Sequence, residues 1–285
     1  MARALTDAGK PTEPVPGIVR HPVLDDPDVA VLWVGHATVL LQIHDRVFIT
    51  DPILTHTAGM VMGRNIEPGL APSSLTAIDF TLISHGHFDH LSYGSLDLLP
   101  QNGVLLLPEG MLAYLPEFAY PTMKELKPWE ELEEDGVRIT AVPVQHFSGR
   151  YGFDAPWMGK RGTTGYIIQY RGRTVLFGGD TAYDPEIFRN IGARFSVDVA
   201  LLPIAPIEPR SFMRRYHLDP DEALQAFHDL RARFLIPVHY RTFTQGLDPD
   251  PEDPARRLAE LSARQGIRDR VMILDIGEQR VITFP

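Results

Sequence analysis

The chain of 285 residues contains no cysteine. That excludes a disulfide framework and a thiolate ligand, so any bound metal is held by nitrogen and oxygen. Long apolar runs are missing too: nowhere do about 18 apolar residues follow one another, the length a bilayer-spanning helix needs. The N-terminus lacks the basic-then-apolar pattern of a secretory signal. Basic residues are the minority, 27 against 37 acidic, for a formal charge of −10. A nucleic-acid surface needs a basic stripe, so no nucleic-acid partner is expected. Together these absences predict a soluble, cytoplasmic protein without a transmembrane segment.

What is present is ordinary for a globular chain, with 44% hydrophobic and 22% charged residues, enough to bury a sizeable core. The unusual stretch is Ser84-His85-Gly86-His87-Phe88-Asp89-His90. Three imidazoles and a carboxylate fall within six residues, directly after the apolar run Phe80-Thr81-Leu82-Ile83. Such a run predicts a buried strand, which places the cluster where a strand passes into a loop, the usual position of sites in α/β proteins. His and Asp side chains are ligands for a borderline metal such as zinc, and the dense spacing suits two adjacent ions. Gly86 is expected to let the backbone bend sharply enough to converge its neighbours.

His-x-His-x-Asp-His after an apolar strand resembles the signature of the metallo-β-lactamase superfamily. The resemblance covers the chain from about Val29 and implies a four-layer αββα sandwich, residues 29–285 forming one domain behind an extended arm of residues 1–28. It implies two divalent metal ions, Zn2+ by default with Fe, Mn or Ni fitting the same donors. His85, His87 and His146 then bind one ion, Asp89, His90 and His239 the other, and Asp180 bridges both. His146, Asp180 and His239 each follow a short apolar run, in the order the family requires. The early Thr50-Asp51-Pro52 implies that Asp51 supports a ligand histidine from behind, and His36 is a candidate for the edge of the site. Two ions about 3.5–4 Å apart activate water at neutral pH and stabilise charge on the attacked centre.

Further stretches resemble one branch of that superfamily, the branch of N-acyl-phosphatidylethanolamine-hydrolysing phospholipase D and its bacterial relatives. They are Trp33-Val34-Gly35-His36-Ala37-Thr38, Thr50-Asp51-Pro52, Phe177-Gly178-Gly179-Asp180-Thr181, and Glu208-Pro209-Arg210 followed by His217-Leu218-Asp219-Pro220-Asp221-Glu222-Ala223. The branch implies a phosphodiesterase on a lipid or small soluble phosphodiester, with Asp89 and Asp180 at the catalytic centre. His217 then serves as general acid toward the leaving oxygen or as orienter of a phosphate oxygen, and Arg210 grips phosphate bidentately; the structural alternative has His217 positioning the helix that follows and Arg210 forming a salt bridge. A lactonase or carboxylic-ester hydrolase is the rival on the same ligands; a non-hydrolytic metal-binding or redox protein is the alternative of another class. A peripheral membrane contact and a homodimer are both compatible with the sequence.

Along the chain, three short apolar runs (29–34, 38–43, 46–50) predict a meander. Residues 51–78 form a long irregular stretch, read either as a lid or as a loop packed on the body. Leu91–Leu99 and part of Met111–Tyr120 are expected to be helical. Phe147–Thr163, leaving directly from His146, is expected to border the site. Asp184 before Pro185 and Asp219 before Pro220 read as helix N-caps, and Asp253-Pro254 begins another helix that Gly266 stops. Arg270–Asp275 and Gln279–Phe284 are expected to close the chain as a hairpin.

Overall fold

The computed structural model describes residues 11–15, 17–59, 62–151, 153–159 and 161–284. The predicted meander is present as β1 (Val29–Gly35), β2 (Thr38–Ile43) and β3 (Arg46–Thr50), its residues almost all buried. The runs are continuously apolar because the sheet is covered on both faces. Val29, Val31 and Trp33 enter the main core, whereas Leu32 and Val34, on the opposite face of the pleat, join Leu54, Leu70, Leu75 and Ile78. Those last four belong to the long stretch 51–78, which is therefore packed on the body through them. It contains a small hairpin of β4 (Thr57–Ala58) and β5 (Met62–Gly63); Met60 and Val61 lie outside the described residues.

After the antiparallel meander the sheet runs parallel, through β6 (Phe80–Leu82), β7 (Val104–Pro108) and β8 (Thr122–Leu126). The outer face of this part is covered by Leu91, Leu96 and Met111. The helix expected over Leu91–Leu99 is only Tyr93–Asp97, because Ser92 caps it by accepting from the Ser95 amide. The helical part expected in Met111–Tyr120 is a single 3-10 turn, Leu112–Tyr114.

The second sheet repeats the plan, an antiparallel meander first and parallel strands after it. β9 (Glu131–Glu134), β10 (Val137–Val142), β11 (Gly165–Tyr170) and β12 (Arg173–Phe177) are antiparallel; β13 (Val199–Pro203) and β14 (Phe234–Val238) then run parallel to β12. Helices Pro185–Arg194, Pro220–Leu230 and Asp253–Arg264 add Phe188, Ile191, Leu224, Phe227, Leu230 and Leu258 to the core. Both predicted caps form: the Asp184 carboxylate accepts from the amides of Glu186 and Ile187, and that of Asp219 from Glu222.

The expected C-terminal hairpin does not form. Instead β15 (Gln279–Ile282) crosses to the first sheet and pairs antiparallel with β1, while Val271 bridges Leu235. This satisfies the free N–H and C=O groups along β1, which would otherwise be an open edge. The strand orders are β15-β1-β2-β3-β6-β7-β8 and β14-β13-β12-β11-β10-β9, an αββα sandwich whose layer outside the first sheet is mainly loop. Of the expected arm, Glu13 and Val19 bridge Ile66 and Leu70, and residues 1–10 and Pro16 lie outside the described residues. No helix among the described residues is long and apolar enough to cross a membrane.

Candidate metal centre

The parallel strands of both sheets end at one edge, and that edge carries the candidate ligands. Asp51 follows β3, His85–His90 follow β6, His146 follows β10, Asp180 follows β12 and His239 follows β14; His36 sits in the turn between β1 and β2. The two sheets are joined there by Thr164 N–H donating to Ser84 O at 2.9 Å and Tyr166 Oη donating to Ile83 O at 2.8 Å. Gly179 has φ +57°, and a Cβ on it would lie 2.5 Å from Ser84 Cβ. The Gly178-Gly179 pair thus brings Asp180 against the histidine loop at a distance no side chain would allow. Gly86 has a different reason from the sharp bend expected of it. Its φ is not positive, but a Cβ there would meet Met111 Sδ at 2.8 Å, and its N–H donates to Ser148 Oγ at 3.1 Å.

The seven predicted ligands converge. His85 Nε2 lies 2.8 Å from His87 Nδ1, and these two with His146 form one compact group. His90 Nε2 and His239 Nε2 are 3.1 Å apart, grouped with Asp89 and His36. Asp180 stands between the groups: Oδ2 is 3.3 Å from His90 Nε2 and 3.8 Å from His146 Nε2, and Oδ1 is 3.1 Å from His239 Nε2.

The outward nitrogens fix the tautomers. His90 Nδ1 meets Asp51 Oδ2 at 2.6 Å, His239 Nδ1 meets Ala205 O at 3.0 Å, and His146 Nδ1 meets Tyr216 O at 2.9 Å. Each of these acceptors needs an N–H, so in the neutral ring each Nε2 turns a lone pair inward. A buried His146 Nε2 and Asp180 Oδ1 without a hydrogen-bond partner are unfavourable without a cation between them. The donor set, imidazole nitrogen and carboxylate oxygen, fits a divalent borderline ion.

Electrostatics separate the groups. Burial, with its neighbouring imidazoles, holds His85 well below the ordinary imidazole value; burial also lowers His146, and His87 to a lesser degree. These three are neutral, as ligands must be. Burial opposes protonation of His90 as well, but Asp180, Asp51 and Asp89 outweigh it and raise its pKa well above the usual value. Asp89 and Asp180 stay ionised despite burial, because His90 and His239 face both.

Around the ligands, Asp51 accepts from the Ser84 amide at 2.6 Å and from Ser84 Oγ at 2.5 Å, besides meeting His90. His36, fully buried and pushed by burial and His239 to a pKa of about 3, places Nε2 3.0 Å from Asp89 Oδ2. His36, Asp51 and His239 all have positive φ, a backbone cost of about 1–3 kcal/mol each. His217 Nδ1 lies 3.6 Å from Asp180 Oδ2 with no hydrogen-bond partner. The phosphate grip expected of Arg210 needs correction. Nε pairs with Asp219 Oδ2 at 3.2 Å, Nη2 with Glu222, and Nη1 donates to His217 O at 3.1 Å. The guanidinium is occupied in holding the start of the Pro220–Leu230 helix and the backbone of His217.

The segment 147–163 does border the site, with the Phe147 ring centroid 4.9 Å from that of His87; Gly152 and Lys160 lie outside the described residues. Sequence reasoning missed three contributors. Arg150 donates to Gly86 O and Leu91 O, stapling both ends of the histidine loop. Ser148 supports Gly86, and Gln245 Nε2 donates to Asp89 Oδ2 at 2.6 Å. None sits in a local pattern; each works across a gap in sequence.

Comparison with known proteins agrees with the geometry. The family model described as Beta-lactamase superfamily domain matches residues 46–240. The chain is 31% identical to N-acyl-phosphatidylethanolamine-hydrolyzing phospholipase D 1 of Caenorhabditis elegans, over 94% of this chain and 80% of that one. It is 28% identical to a metal-dependent hydrolase of Methanopyrus kandleri, over 87% of this chain and 97% of that one. Among solved structures, a possible metal-dependent hydrolase of Veillonella parvula is similar in fold, with TM-score 0.71 and 17% identity over 89% of this chain and 99% of that one.

Proposed function

The chain belongs to the metallo-β-lactamase superfamily and is a metal-dependent hydrolase, and from that premise we propose that it is a two-metal phosphodiesterase of the phospholipase D-like type. His85, His87 and His146 hold one ion, Asp89, His90 and His239 the other, and Asp180 reaches both through its two oxygens. The observation that carries this reading is the convergence of these nitrogens and carboxylate oxygens, with the outward nitrogens of His90, His239 and His146 held by fixed partners. The relative that hydrolyses N-acyl-phosphatidylethanolamine, similar over most of both chains, supports a phosphodiester as substrate.

When bound, two divalent ions, zinc by default with Fe, Mn or Ni fitting the same donors, would lower the pKa of water and neutralise charge on the attacked group. The chain's own residues do the rest. Asp51, Ala205 O and Tyr216 O fix the rotation of His90, His239 and His146, so the inward atoms need no reorganisation during turnover. Burial takes His217 to a pKa of about 4, against the opposing pull of Asp180. It is neutral at physiological pH, so it serves by orienting a phosphate oxygen rather than as a resident general acid.

The test is turnover by zinc-loaded protein on a bis-aryl phosphodiester, micellar N-acyl-phosphatidylethanolamine and several lactones. Phosphodiester cleavage abolished in Asp180→Ala is the expected result. A preference for the micellar lipid over the aryl ester assigns a lipid substrate; lactone-only activity overturns the phosphodiesterase reading. Metal analysis of protein purified without added metal identifies the ion.

A further inference from the structure

We propose that Gln245 is a positioning residue that sets the affinity of the second metal half by holding Asp89. The inference rests on the two-ion reading above. Asp89 Oδ2 lies 3.8 Å from both His90 Nε2 and His239 Nε2, so this oxygen faces the second half. The same oxygen meets two donors on different parts of the chain, Gln245 Nε2 at 2.6 Å and His36 Nε2 at 3.0 Å. An aspartate has two rotatable bonds between backbone and oxygen, and with one donor removed it regains freedom to turn away.

The backbone on either side of Gln245 is itself held in place. Gly246 has φ +61°, and a Cβ on it would sit 2.5 Å from Glu208 O, so the chain after Gln245 lies directly on the 205–208 segment. Leu247 N–H donates to Glu208 O at 2.8 Å, and the Asp248 carboxylate accepts from the Ile207 and Glu208 amides at 2.8 and 2.7 Å. On the other side Thr244 Oγ1 meets Asn65 Oδ1 at 3.2 Å, and Asn65 Nδ2 donates to Arg241 O at 3.0 Å. Ala205, at the head of the same segment, accepts from His239 Nδ1. One stretch of backbone therefore fixes a ligand of the second half and, through Gln245, the orientation of another. No comparable outer clamp from this loop reaches His85, His87 or His146 in the contacts of the described residues.

The experiment titrates metal-stripped protein with Co2+ in competition with a chromophoric chelator, for wild type, Gln245→Met and Asp89→Asn. Met keeps the volume and removes the donor. Asp89→Asn identifies which of the two dissociation constants belongs to the second half. If wild type takes up only one ion, the two-ion reading fails on its own, before the variant is considered. With two ions, Gln245→Met is expected to weaken the Asp89-dependent constant about tenfold or more, leave the other within about twofold, and leave the melting temperature of the metal-free protein unchanged. An unchanged or tighter second constant overturns the proposal. So does equal weakening of both constants with a lower metal-free melting temperature, which makes Gln245 a fold residue only.

Discussion

The two halves of the centre are built from similar donors but supported differently. The half of His85, His87 and His146 is all imidazole, and neutral groups stand behind it: Ser84 Oγ 2.9 Å from His85 Nδ1, and Tyr216 O at His146 Nδ1. The half of Asp89, His90 and His239 has a carboxylate among its donors and another, Asp51, directly behind His90. His36 and Gln245 add two hydrogen bonds to Asp89. The first is a set of neutral bases that burial keeps neutral; the second is a charged cluster that needs several fixed partners to hold its shape. On the two-ion reading, chemically identical ions are expected to bind these halves with unequal strength and unequal proton coupling.

The substitution that ignores this difference has the largest effect. Asp180 touches both halves, so Asp180→Ala is expected to weaken both ions and lower kcat/KM by more than about a hundredfold, beyond the usual effect of an outer partner. Metal content after dialysis and phosphodiester turnover check it; full metal and full activity would remove Asp180 from the bridge. Asp51→Asn separates the halves. Its side chain meets His90 and reaches His85 only through Ser84, so the second ion is expected to loosen about 10–100-fold and the first much less, read by the two-ion competition titration. Equal weakening of both would show Asp51 acting on the whole histidine loop.

Proton coupling sharpens the comparison at smaller scale. His85, His87 and His146 have lowered pKa values, so the first ion binds at pH 7 without displacing a proton from them. His90 has a raised value in the metal-free protein and is protonated at pH 7, so the second ion must displace that proton. The sign follows: affinity for the second ion rises with pH, by about tenfold per unit for one proton, up to the raised pKa of His90. Affinity for the first stays flat above about pH 6.5, the unperturbed imidazole value. Calorimetric titration in buffers of different ionisation heat counts the protons; none released with the second ion would contradict the charge assigned to His90.

The first half and the fold were more legible in sequence than the second half's supports. Ser84–His90 carries its chemistry in seven adjacent residues after a strand, whereas Asp180 and His239, which also follow strands, became readable only once the resemblance set the order of ligands. The αββα plan was legible through the family that the His-x-His-x-Asp-His stretch resembles. What stayed hidden acts between distant segments. Gln245 meets Asp89 across 156 positions, and β15 pairs with β1 across the length of the chain, contacts that no local pattern encodes. Arg210 carried two readings, a phosphate grip and a structural salt bridge, and the partners for the second were in view. Asp219 and Glu222, recognised as a helix start, are also the carboxylates that take its guanidinium.

That pair of readings yields the smallest and most discriminating prediction. Arg210 supports the first half at one remove: it holds His217 O, the residue before is Tyr216, and Tyr216 O anchors His146. The guanidinium is partly exposed, so its ion pairs lie between the weak surface case and the strong buried one. Arg210→Met is then expected to cost about 1 kcal/mol, a fall in melting temperature of about 2–4 °C. The first ion should loosen slightly and the second hardly at all. KM for a phosphodiester should change little, because the side chain is engaged with Asp219 and Glu222 rather than with substrate. A Met variant of unchanged stability whose KM rises tenfold or more would return Arg210 to the substrate, and would mean that the His217 segment moves when substrate binds.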